Sequence, residues 1–196
     1  PGGLSNYPSL NSGTFSCKNL IIESGGSLDV GSGATLRIAG GIFNSGTLSD
    51  TAGTVELMGT AAQTIPSGAF YNNTIKNLTI NNSSGVTLGG TLKLKGTLTP
   101  TAGTLTTGGY LTLVSDSLGT ASVAQGSSSG GYVSGNVSVE RFVPANSNRA
   151  WRLLSANTSG TQTIQSAWQE GATSVSSDPN PGYGTMITCN GSSMRC

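Results

Sequence analysis

Residues Lys76–Val114 read KNLTINNSSGVTLGGTLKLKGTLTPTAGTLTTGGYLTLV. Short alternating segments, Thr79–Ile80, Val86–Leu88, Leu92–Leu94 and Leu111–Leu113, are separated by Gly, Asn, Ser and Thr. Apolar residues two apart share one face of a strand, so each segment reads as a very short strand with one buried side. An earlier stretch echoes this one. Lys18–Ile22 (KNLII) matches Lys76–Ile80 (KNLTI), and Leu36-Arg37-Ile38 matches Leu92-Lys93-Leu94. Thr51-Ala52-Gly53-Thr54 matches Thr101-Ala102-Gly103-Thr104. The offset differs from pair to pair, which predicts a drifting repeat with loop insertions.

Working outward, strand candidates lie at 20–22, 28–30, 35–38, 42–43, 47–48, 54–57 and 63–65 on one side, and at 121–123 and 131–133 on the other. In Leu28-Asp29-Val30, Leu36-Arg37-Ile38 and Val55-Glu56-Leu57 a charge separates two apolar residues. Alternation predicts the apolar pair inward and the charge outward. No window holds a 3.6-residue period, and each Gly inside a helix costs about 1 kcal/mol, so helix content is expected to be very low. Sandwich strands average about five or six residues, longer than these. Within the repeat there is no Asn-Gly or Asp-Gly hairpin signal; Asn190-Gly191 lies outside it. Both facts favour an all-β, right-handed parallel β-solenoid with roughly 20–24 residues per coil.

Around this body, residues 1–17 read as a lead-in or cap, and 18–143 as the solenoid repeats. Residues 66–75 (PSGAFYNNTI) read as a loop projecting between coils, with Phe70 or Tyr71 folded back on the body, because Pro66 cannot donate to a ladder. Residues 135–143 read as the longest alternating strand, with Val137, Val139 and Arg141 on one side and Ser138, Glu140 and Phe142 on the other. The composition changes near residue 144, and 144–196 read as a cap or the start of a further β module. Trp151 and Trp168 are expected to be core or cap residues there. Asn77, Asn81 and Asn82 are candidates for stacked amide ladders.

The composition excludes several functions. Charged residues are 9% of the chain and the net charge is +1, with no two basic residues adjacent, so no basic stripe for nucleic acid exists. Gly is 30 of 196 residues, about twice the usual share. Ser, Thr and Asn are expected to solvate the surface in place of charge. His is absent and the acids are isolated in sequence, so neither a metal nor a cofactor site is read. Cys17, Cys189 and Cys196 are the cysteines; the last two are close enough to bridge a short loop in an oxidising compartment, and unpaired thiols are the alternative. The start at Pro1-Gly2-Gly3 reads as a processed or truncated polypeptide.

No catalytic constellation stands out. Glycoside hydrolysis needs paired carboxylates, and the eight acids include no pair two residues apart. Stacked coils are the one way to bring Asp29 near Asp50 or Glu56, which keeps a polysaccharide lyase or hydrolase as a minor alternative. Thr97-Leu98-Thr99 and Thr104-Leu105-Thr106 offer Thr97, Thr99, Thr104 and Thr106 as a flat face for glycan or ice, although Thr is also simply a good strand former. Tyr71, Tyr110 and Tyr132 are the aromatics available to a glycan.

Residues 135–156 (GNVSVERFVPANSNRAWRLLSA), followed by IQSAWQEGA at 164–172 and NPGYGT at 180–185, resemble a junction in large secreted surface proteins of Bacteroidota. There, Gly- and Thr-rich β-helix repeats precede a segment of similar pattern. The matching positions here are Gly135, Asn136, Val139, Glu140, Arg141, Phe142, Pro144, Trp151, Arg152, Leu154 and Ser155. The resemblance implies type IX secretion, with the outer-membrane secretion machinery as a partner, and an extracellular or outer-membrane surface location. It also implies O-glycosylation in Asp50-Thr51-Ala52 and Asp116-Ser117-Leu118, at Thr51 and Ser117; Asx-turn chemistry explains the same triplets equally well. The function expected from all this is a non-catalytic structural or adhesive segment, a stalk, filament or adhesin, that meets extracellular glycans or other copies of itself.

Overall fold

The computed structural model describes residues 7–126 and 131–143, and the backbone of 187–189 and 192–194. The chain divides into two compact units, Pro1–Pro144 and Ala145–Cys196. The first is a parallel β-solenoid of about five turns with about 21 residues per coil.

Each regular coil contributes three short strands. The first holds β1 (Ser9–Leu10), β2 (Gly13–Cys17) and β3 (Leu20–Ile22). The second holds β4 (Ser27–Val30), β5 (Ala34–Ile38) and β6 (Ile42–Asn44), and the third holds β7 (Thr47–Asp50), β8 (Thr54–Leu57) and β9 (Gln63–Ile65). The fourth has β10 (Thr74–Ile75), β11 (Asn77–Asn81) and β12 (Val86–Leu88); the fifth has β13 (Leu92–Leu94), β14 (Thr97–Ala102) and β15 (Thr104–Thr106). An irregular round follows: β16 (Leu111–Leu113), an antiparallel hairpin of β17 (Ser115–Asp116) and β18 (Gly119–Thr120), then β19 (Ser122–Val123), β20 (Tyr132–Ser134) and β21 (Val137–Val139). In the second unit β22 (Ile187–Cys189) pairs antiparallel with β23 (Ser192–Met194), on either side of the Asn190-Gly191 hairpin signal.

The strands stack into three faces. The second face is one unbroken six-stranded sheet, β2-β5-β8-β11-β14-β19. The first face is split into β1-β4-β7 and β10-β13-β16-β21, and the third into β3-β6 and β9-β12-β15-β20. Inward side chains form columns along the stack. Leu36, Val55, Leu78 and Leu98 are lateral neighbours in turn and at most 4% exposed. Leu92 and Leu111 pair in another column, as do Leu94 and Leu113. Each such side chain contributes roughly 1.5–3 kcal/mol of burial, set against the entropy of ordering it.

Several expectations change. The first coil already begins at Ser9, inside the stretch read as a lead-in; Gly13–Cys17 lies beside Ala34–Ile38. Its strand is hidden in sequence because GTFSC carries so few aliphatic side chains. The run 135–143 is not the longest strand. β21 spans three residues because its neighbour β16 spans three before leaving for the hairpin, whereas β14 spans six. Val139 and Phe142 are both exposed. In the 66–75 interruption Phe70 folds back and is buried while Tyr71 is exposed. A 3-10 turn at Tyr71–Asn73, the only helical element among the described residues, leads straight into β10.

The internal repeat also has a different unit. The amide oxygen of Asn19 accepts the Gly41 N–H at 2.9 Å, and that of Asn77 accepts the Thr97 N–H at 3.0 Å. A Cβ on Gly40 or Gly96 would overlap that amide and sit 2.6 Å from the Lys18 or Lys76 carbonyl oxygen. The two Lys-Asn-Leu motifs are therefore the same corner. Yet Leu20 lies on the third face and Leu78 on the second. Counting strands, β3 and β11 are eight apart, as are β5 and β13, and three strands make a coil. These two pairs thus fall two coils and two faces apart, whereas the Thr51–Thr54 and Thr101–Thr104 corners, which lead into β8 and β15, are seven strands apart. What repeats is a strand with its corner, a third of a coil, and the drifting offset follows from that.

Candidate functional site

The two split faces are where the sequence departs from regular stacking, and side chains take over the bridging there. Between β6 and β9 the Gln63 amide makes four bonds. Its Nε2 donates to the Ile38 carbonyl at 3.0 Å and the Gly40 carbonyl at 2.8 Å. Its Oε1 accepts from the Gly59 N–H at 2.9 Å and from Asn82 Nδ2 at 2.8 Å. Asn82 is fully buried and also donates to the Ala61 carbonyl, while its oxygen accepts the Ser84 N–H. Between β7 and β10 the Asp50 carboxylate accepts N–H groups from Gly53 at 2.9 Å, Lys76 at 2.9 Å and Asn77 at 3.3 Å. Burial pushes the Asp50 carboxyl above its ordinary range; the three backbone donors oppose that, and the nearby Asp29 charge adds to it.

The split in the third face leaves a slot of about 360 Å³. Gly40, Gly41, Ala61 and Ala62 make its walls, Gln63 its floor, and Phe43 one lip. The Phe43 ring is exposed, and Ile21, its neighbour on β3, is exposed beside it. On the other side of the slot the outward residues of the same face are Thr64, Thr87, Thr106 and Ser134, lateral neighbours in sequence and all exposed.

The four threonines expected to form one flat face do not share one. Thr97 and Thr99 are on β14 in the second face, and Thr104 and Thr106 are on β15 in the third. A corner between Ala102 and Thr104 turns the chain, with Gly103 at φ 75°. Threonines instead line up along the stack, Thr64 to Thr87 to Thr106 on one face and Thr79 to Thr99 on the other. Asn77, Asn81 and Asn82 form no shared ladder. Asn77 bonds the Gly53 carbonyl, Asn81 bonds Glu56 and Asn82 bonds Gln63.

The described acids other than Glu23 are engaged in local contacts. Asp29 accepts the Ser49 and Thr51 hydroxyls. Asp29 lies beside Ser49 and Asp50 beside Val30, so the two carboxylates leave the sheet on opposite sides. Glu56, outward as expected, is still only 6% exposed because Arg37 Nε at 2.7 Å and Asn81 Nδ2 at 2.8 Å close over it. Asp116 is held below the usual carboxylate range by the Leu118 N–H and then by Lys95. Glu140 accepts the Ser115 N–H. Among the described residues no group of three His, Cys, Asp or Glu converges.

Thr51 and Ser117 are both exposed, the first in the corner after β7 and the second at the tip of the β17–β18 hairpin, next to Leu118 at 93% exposure. Cys17 is a free thiol, pushed up by burial and therefore poorly reactive. A Cys189–Cys196 bridge, like Trp151, Trp168 and most of the segment resembling the secreted proteins, lies outside the described residues. The bridging roles of Gln63 and Asp50 were not read from the sequence although each carries a signal: a polar residue two positions from Ile65 or Leu48, at the parity that faces inward. No family model matches the chain, and no curated protein or solved structure matches it either.

Proposed function

We propose that the chain is a structural or adhesive segment of an extracellular surface protein, a stalk built from stacked solenoid coils. The observation that carries this reading is the unbroken second-face sheet with its aliphatic columns, which joins all five regular coils through one core. The described polar side chains that do not solvate the surface serve the stacking: Gln63 and Asp50 bridge the seams, and Asn19 and Asn77 hold corners. The resemblance of residues 135–185 to secreted Bacteroidota proteins supports a bacterial surface location and outer-membrane export. Thr51 and Ser117 are accessible to glycosylation in such a setting. An antibody raised against residues 7–143 should label intact producing cells, and external protease should remove the label. Labelling seen only after permeabilisation would overturn the reading.

A second reading has one observation behind it. The exposed hydroxyls of Thr64, Thr87, Thr106 and Ser134 repeat at the strand spacing of about 4.8 Å, a periodicity suited to a glycan chain or ice. Replacing Thr87 and Thr106 by Leu should abolish retention on an insoluble glycan, or thermal hysteresis, if this row is the contact. Unchanged retention or hysteresis removes the row from consideration.

A further inference from the structure

The slot between β6 and β9 carries an inference independent of the stalk reading. In a parallel pair, alternate residues aim their backbone N–H and C=O at opposite neighbours. On β6 the Gly41 carbonyl accepts from Leu20, and the Ser45 N–H reaches Ile22, so residues 41, 43 and 45 serve β3. Ile42 and Asn44 therefore aim their backbone groups the other way, toward the third coil. On β9 the Gln63 N–H reaches Gly85 and the Ile65 carbonyl accepts from Gly89, so 63 and 65 serve β12. Thr64 then aims its backbone groups at the second coil. Among the described residues no strand pairing joins β6 to β9. Two strand edges running in the same direction face one another across an open slot.

Such an edge is a template for a further strand. The chemistry of the slot selects what kind. No charged residue lines it, and its walls are Gly and Ala. The Gln63 amide on the floor is fully committed to four protein bonds, so the slot lacks the convergent free polar side chains that orient a sugar. Backbone groups on both lips, with apolar Phe43 and Ile21 outside, match main chain with alternating side chains. We propose that the slot takes an extended, uncharged polypeptide segment as an inserted strand. Its main chain pairs with Ile42 on one side and Thr64 on the other, and its outward side chains pack on Phe43. Each lip is a three-residue strand, so the slot engages about 10 Å of partner, roughly three residues.

The test is amide exchange and chemical-shift mapping on the whole chain, with N-acetylated, C-amidated Thr-Val-Thr-Val-Thr as the probe. In the free protein the Ile42 and Thr64 amides should exchange about 100-fold faster than that of Leu78, which lies inside the unbroken sheet. At millimolar peptide, shifts should centre on Ile42, Phe43 and Thr64, and those amides should become protected. A peptide N-methylated at its central residue should bind about tenfold more weakly for the lost bond. Ala62→Trp, at an exposed position that fills the slot, should abolish the shifts while leaving the melting temperature near wild type. Slow exchange of Ile42 and Thr64 in the free protein would overturn the proposal. So would equal binding of the N-methylated peptide, no shifts with the unmodified peptide, or shifts produced by cellotetraose in its place.

Discussion

Gln63 is the side chain on which the third-face seam depends, and its removal has a calculable cost. In Gln63→Leu the volume is nearly kept but four bonds are lost. Their former partners fare differently. The Ile38 carbonyl still accepts the Met58 N–H at 3.0 Å, and Asn82 still donates to Ala61. The Gly40 carbonyl borders the slot and can take water. The Gly59 N–H is buried and loses its partner outright. One orphaned buried donor costs about 1–3 kcal/mol and each weakened bond about 0.5–1.5, partly offset by the burial of Leu. The expected net loss is about 3 kcal/mol, or about 6–12 °C in melting temperature for a chain of this size. Gln63→Glu should cost more at neutral pH, because it turns carboxylate oxygens toward two carbonyls in a buried site. Part of that loss should return on acidification, when the protonated carboxyl donates again. Urea unfolding at pH 7 and pH 4, with amide exchange at residues 38–41, measures both. If Gln63→Leu unfolds within about 0.5 kcal/mol of wild type, the seam is held by something else.

Three further outcomes follow from the same geometry. Leu92→Asp puts a charge at an inward position that is 2% exposed, between coils, and should cost more than about 4 kcal/mol, read as lost amide protection across Leu92–Leu94 and Leu111–Leu113. Gly96→Ala drives a Cβ into Asn77 and the Lys76 carbonyl, so a loss of about 2 kcal/mol or more is expected in urea unfolding. Asp50 binds its proton more tightly in the folded chain than in the unfolded one, so its stabilising protonation is complete below the unfolded pKa and is lost as pH rises through the raised folded value. Wild-type stability should therefore fall with pH across that window relative to Asp50→Asn. The variant itself should be weaker at neutral pH, because its amide nitrogen cannot accept the Lys76 and Asn77 N–H groups. Parallel pH profiles with equal slopes would contradict the assignment.

The solenoid was legible in Lys76–Val114 because its evidence is local. Alternation two residues apart, strands of two to four residues and polar corners between them can each be read from neighbouring residues. The inward positions of Leu36, Val55, Leu92 and Leu94 follow from that parity alone, whereas Phe70 and Tyr71 stay alternatives in the sequence and the tertiary structure buries Phe70. Parity, however, reports only which side of its own strand a residue takes. It does not say which of three faces the strand occupies, because one strand-and-corner unit serves all three. That is why Thr97-Leu98-Thr99 and Thr104-Leu105-Thr106 look alike in sequence and stand on different sheets. It is also why two matching Lys-Asn-Leu corners lie on different faces. The stacking register, set by corner lengths summed over whole coils, decided what became of Gln63, Asp50 and Glu56. Each looks like an isolated polar residue along the chain. Stacking places Gln63 and Asp50 at breaks between sheets, where an amide and a carboxylate stand in for missing strand bonds, and lays Arg37 over Glu56.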